Sequence, residues 1–178
     1  MANAAFTFGL RPLEELSGNI RSMEFVVTTG ATIYRGDIVE MLNTGTVSRV
    51  TSGASMVQSI GVALETVSDA ASAAGKKILI AMDPHTLFVV NCKSKTANAG
   101  NEFALADVGL NIQVDGLAAF DTTLLLSGIY ADADTKAATV DLPLRIIGLL
   151  STPDNAVGAN AKIIVAFNTH TLHRALGV

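Results

Sequence analysis

The chain has 178 residues, a formal charge of −4, 16% charged and 49% hydrophobic residues, a mean hydropathy of +0.44 and an isoelectric point of about 5.2. No apolar run approaches the roughly 18 residues that a membrane helix needs, the basic residues are scattered, which argues against a nucleic-acid footprint, and Cys92 alone allows neither an intrachain disulfide nor a cysteine zinc cluster. With charge well below the roughly 25% of an ordinary domain, the chain is expected to hide surface in subunit contacts, as an oligomer or lattice component.

Residues 1–22 carry Gly9, Pro12, Gly18 and Asn19 among Phe6, Phe8, Leu10, Leu13 and Leu16, a pattern too broken by turn formers for a helix. The expectation is an extended arm that lays these side chains on a neighbouring subunit or partner, with Arg11 placed to meet an acidic residue there. An arm folded back on its own core is the alternative. The first ten residues lack the basic and apolar regions of a signal peptide, so cytoplasmic synthesis is expected.

From residue 23 to 178 a single β-rich domain is expected. Met23–Thr29 and Asp37–Leu42 read as strands, Asn43-Thr44-Gly45 as a hairpin loop with glycine at the positive-φ place, and Thr46–Val50 and Met56–Leu64 as the next strands after a turn at Gly53. Ser68–Ala74 reads as a loop, Lys77–Met82 and Thr86–Cys92 as strands either side of Asp83-Pro84, and 91–101 as a polar turn region. The stretch 102–138 is less patterned: a short helical turn at 103–108, a strand at 111–115, a strand or helix at 118–126, and a solvated loop at Asp132–Lys136. Leu142–Leu150 and Ala161–Phe167 read as strands, and 169–178 as a peripheral tail.

A repeat organises this body. Ile60-Gly61-Val62, a small-residue loop, Lys77-Ile78-Leu79-Ile80-Ala81 and His85 return as Ile147-Gly148-Leu149, a loop, Lys162-Ile163-Ile164-Val165-Ala166 and His170. Two copies are too few for a solenoid, so the hairpins are expected at related places in one β scaffold. Short strands joined by Gly, Asn, Asp and Pro turns give an all-β fold, an antiparallel sandwich or barrel with little helix.

No constellation asks for chemistry. His85, His170 and His173 have no carboxylate at a fixed spacing to make a metal site. Asp121, Asp132 and Asp134 are not followed by the glycine and bidentate glutamate of a calcium loop. There is no Gly-x-Ser-x-Gly elbow or phosphate-binding glycine loop, and Cys92, alternating with Val90, reads as a small core residue. No enzyme activity, cofactor or metal is expected. A metal-dependent β-barrel enzyme is the competing reading of the histidines.

Phe8-Gly9-Leu10-Arg11-Pro12, Gly36-Asp37-Ile38-Val39, Ile60-Gly61-Val62-Ala63, Asp83-Pro84, Asp107-Val108-Gly109-Leu110-Asn111, Leu144-Arg145-Ile146-Ile147-Gly148-Leu149 and Pro153-Asp154-Asn155 follow one another in an order that resembles the decoration, or cement, proteins of tailed-bacteriophage heads. Each motif alone is turn chemistry beside apolar strands; the order over residues 3–173 carries the likeness. The resemblance implies a non-enzymatic protein, a β-rich body, a homotrimer, and a place on the outer face of the virion capsid against the major capsid protein, with no nucleic-acid or membrane partner. The arm residues Phe6, Phe8, Leu10, Arg11, Leu13 and Leu16 are the expected capsid-binding set. A phage fibre or tail module that binds host glycan is the alternative, and with no Trp and only Tyr34 and Tyr130 the chain offers it little aromatic surface.

Overall fold

The computed structural model describes residues 3, 5–15, 18–52, 56, 58–68, 75–96, 101–138 and 142–173. The protein is all-β: the described residues form strands and short 3-10 turns such as Leu105–Asp107 and Thr171–His173. The expected turn at Gly53, the expected loop at 69–74 and part of the tail lie outside the described residues.

The larger sheet contains β1 (Arg11–Glu15), β9 (Thr86–Lys93), β10 (Asn111–Asp115), β13 (Tyr130–Ala137), β14 (Leu144–Leu149) and β15 (Ala161–Phe167), in the order β1-β9-β13-β10-β14-β15. β9 also pairs with β15, from Cys92 opposite Ala161 to Phe88 opposite Val165, so five strands close into a ring and β1 is added outside it. Inside the ring the side chains follow the period of two that a strand imposes. Phe88, Val90 and Cys92, Ile112 and Val114, Ala131 and Ala133, Leu144 and Ile146, and Ala161, Ile163, Val165 and Phe167 all enter one core. Phe88 meets Phe167 edge to face at 5.4 Å.

The second sheet runs β2 (Ser22–Val26), β8 (Lys77–Ala81), β6 (Ser59–Ala63), β4 (Ile38–Met41), β5 (Val47–Arg49). A parallel bridge from Val27 back to Val47 brings its two edges together. Its inner face, with Val39, Ile60, Ile78 and Ile80, makes a second core. Ile38, Val62 and Ala81, the chain neighbours of Val39, Ala63 and Ile80 in that second core, pack into the first. Strands covered on both faces read as continuous apolar runs, which accounts for part of the high hydropathy without any subunit contact.

Two expectations need correcting. The repeated hairpins do not share one scaffold, because β6 and β8 belong to one sheet and β14 and β15 to the other. Their registers also differ: Ala81 faces Val62, whereas the matching Ala166 faces Arg145. The repeat is one of strand chemistry and antiparallel pairing, not of register. The expected loop Asp132–Lys136 is instead part of β13. Ala131 and Ala133 supply its core face, and the acids between them are satisfied: Asp132 accepts a bond from the Asp134 amide, while Asp134 accepts from Ser94 Oγ (2.7 Å), from the amide and hydroxyl of Thr96 (3.0 and 2.8 Å) and from Asn101 Nδ2 (3.1 Å).

These bonds, Ser94's first, hold the Asp134 carboxyl well below the usual carboxylate range. A group depressed in the folded state contributes stability above its unfolded value, about 3.9 for Asp, and loses it as pH falls further. Asp134→Asn is therefore expected to lower the urea midpoint at pH 7 and to differ less from the parent as pH is taken to 2. A difference that stays constant across that range would contradict the assignment.

Candidate docking surface

The amino-terminal segment is a strap across the body. The Asn3 side chain donates to the carbonyls of Ala156 and Ala159, both at 2.8 Å, and accepts from the Ala156 amide at 2.9 Å. Phe8 is buried against Val89 and Leu126, with Leu150 packed beside them. Gly9 then passes so close to Gly36 that a Cβ there would lie 2.5 Å from the Gly36 carbonyl oxygen and 2.7 Å from Ser127 Cβ, and its φ of +69° is itself a glycine conformation. The Leu10 amide donates to that same Gly36 oxygen at 2.9 Å, and the Leu10 side chain enters the first core at 1% exposure.

β1 follows, pairing Arg11 with Val89 and Pro12 with Phe88 before a bulge that leaves Leu13 out of register. Proline and a bulge suit an edge strand, where a missing donor costs little. Of the two readings of the extended arm over residues 1–22, laid on a partner or folded back on its own core, residues 8–15 follow the second, because Phe8 and Leu10 have apolar area to bury and β9 has an open edge beside them. Leu16 lies outside the described residues.

The structure divides the expected docking set. Leu10 and Phe8 face inward, while Phe6 (42% exposed) and Leu13 (39%) face solvent. Together with Phe8, Val89 and Leu150 these two line a groove of about 420 Å³, edged by Arg11, Pro12 and Lys162. The Arg11 guanidinium lies over the Phe8 ring at 4.6 Å, and Lys162 is held by Asp154 at 2.6 Å. Phe6 also borders a second hollow, shared with Phe120, Asp121 and Ser127.

Beyond it, Asp121 Oδ1 accepts the amides of Thr123 and Leu124, and the turn so made presents Leu124 and Leu125, each about half exposed. Leu125 has a φ of 53°, unusual for a bulky residue, and its carbonyl is held by Thr66 Oγ1 at 2.7 Å. Large apolar side chains gathered at one surface mark an interaction site more often than scattered ones do. Val89, Leu150 and the 121–125 turn were not singled out by sequence reasoning; Leu124-Leu125-Leu126 directly after a turn-forming Asp was the available signal.

The titratable groups are placed structurally. Cys92 is fully buried, and burial pushes its thiol up to about 12. His170 is buried, accepts the Leu172 amide at Nδ1 and packs edge-on to Phe167, whereas His85 is exposed. Among the described residues no three His, Cys, Asp or Glu gather as metal ligands. Asp37 is buried, takes the Tyr34 amide at 2.8 Å and faces Arg49 at 3.9 Å, and burial raises its pKa. Tyr34 and Phe120 stack at 4.6 Å with an interplanar angle of 7°. No family model and no curated protein matches this chain.

Proposed function

We propose that the chain is a decoration protein of a tailed-bacteriophage head, a non-enzymatic homotrimer that binds the outer surface of the assembled capsid and stabilises it. The observation that carries this reading is the apolar face built around the strap, with Phe6 and Leu13 presented by a backbone fixed at Asn3, Gly9 and β1. A docking surface held on a rigid body loses little conformational freedom on binding. The order of motifs that resembles such proteins names the partner, the major capsid protein, and the place, the virion exterior.

The glycan-binding alternative asks for an open aromatic face, and Tyr34 and Phe120 each spend one face on the other. Light scattering on the purified protein is expected to give the mass of three chains, and mixing with undecorated shells is expected to carry it into the shell pellet. A monomer that stays in the supernatant at micromolar concentration would overturn the reading.

A further inference from the structure

Next to the apolar groove, and sharing Arg11 and Pro12 with it, lies a concavity of about 290 Å³ lined by Leu10, Arg11, Pro12, Arg35, Ala63 and Leu64. It holds two cationic side chains, Arg11 and Arg35. Acids outnumber bases, 16 to 12, and Arg21, Arg49, Lys77, Lys95, Lys136 and Lys162 each have a carboxylate within ion-pair distance. Among the described residues, Arg11, Arg35, Lys76, Lys93 and Arg145 have none; Lys76 bonds the Ser68 carbonyl, Lys93 lies over the Tyr130 ring and Arg145 bonds Asn111 Oδ1, whereas Arg11 and Arg35 share this hollow. Burial first, and then the charge of Arg35, pull Arg11 below its ordinary pKa.

Two like charges lining one hollow favour an anion between them. Both are also pre-positioned. Arg11 is laid over the Phe8 ring, and the Arg35 backbone is fixed by Thr66 Oγ1 at 2.9 Å and by a bridge to Leu126. A guanidinium pair in a partly apolar hollow suits a carboxylate better than a hydrated inorganic ion, because the fork donates to two oxygens while the walls take the attached carbon chain.

We propose that Arg11 and Arg35 form a clamp for one Asp or Glu side chain on an extended, otherwise apolar segment of the major capsid subunit. The inference rests on the decoration reading and names the chemistry of its contact. Arg11 and Pro12 border both hollows, so such a segment crosses β1 with its carboxylate at the clamp and a neighbouring apolar side chain between Phe6 and Leu13. Among the described residues β1 pairs with a strand, β9, on one side only, which leaves room for a chain to lie there.

The test is titration of undecorated, expanded shells with the full-length protein, followed by sedimentation. Arg35→Glu removes the like-charge neighbour of Arg11, so its urea midpoint is expected to be no lower than the parent's. Its shell affinity is expected to fall at least tenfold, Arg35→Lys is expected to fall less, and Lys76→Glu, the same charge change at a lysine bonded to the Ser68 carbonyl, is expected to bind as the parent does. Binding by the parent with unchanged affinity in Arg35→Glu overturns the clamp and leaves the decoration reading standing; no binding by the parent overturns that reading and the clamp with it. Loss of the trimer mass in Arg35→Glu alone would show that the clamp closes on a second copy, which also overturns the proposal.

Discussion

Removing residues 1–16 is expected to bring the protein close to unfolding rather than to release a dispensable arm. The deletion takes Leu10 from the first core and Phe8 from its cluster with Val89 and Leu126, and it strips the outer edge of β9 from Thr86 to Val89. Truncating a buried Leu costs about 2–5 kcal/mol and a buried Phe about 3–5, so the sum is on the order of 5 kcal/mol or more, against a total stability of about 5–15 kcal/mol for an ordinary domain. Phe6→Ser with Leu13→Ser removes only exposed side chains, and is expected to change stability by about 1 kcal/mol or less while weakening shell binding. Urea midpoints of the three proteins check this. A truncated chain with the full-length midpoint would restore the free arm.

Much of the fold was legible because the strands keep their period and their turn residues. Ala161–Phe167 alternates inward and outward without a break and was read at its observed bounds, and the Asn43-Thr44-Gly45 loop joins β4 and β5 as its glycine suggests, with φ of +76° at Gly45. Legibility failed where tertiary contacts decide. Gly9 and Pro12 looked like breakers of structure, yet Gly9 is a crossing point against Gly36 and Pro12 sits on an edge strand whose ladder can spare a donor. Asp134 reads as a loop acid because its hydrogen-bond partners, Ser94, Thr96 and Asn101, are remote in sequence.

The docking set was half legible for the same reason. Composition identifies Phe6, Phe8, Leu10 and Leu13 as apolar in a polar setting, but only packing separates Phe8 and Leu10, which hold the strap down, from Phe6 and Leu13, which it presents. The apolar composition is not by itself a mark of oligomers, since two cores share strands such as β4 and β6.

Cementing is a linkage effect, and its expected size is large because it is multiplied over the lattice. A protein that binds the expanded shell and not its separated subunits stabilises the shell by about 2.7 kcal/mol per site when present at 100 times its dissociation constant, with no bond made or broken. Shells assembled without the protein are expected to have normal geometry and to fail early under heat or osmotic shock, and adding the protein back is expected to restore them, less completely with Phe6→Ser and Leu13→Ser. The most direct measurement is the temperature at which DNA-filled shells release their DNA, followed by a DNA-binding dye with and without the protein. The account expects decorated shells to hold their DNA to a distinctly higher temperature; release at the same temperature from naked and decorated shells would contradict it.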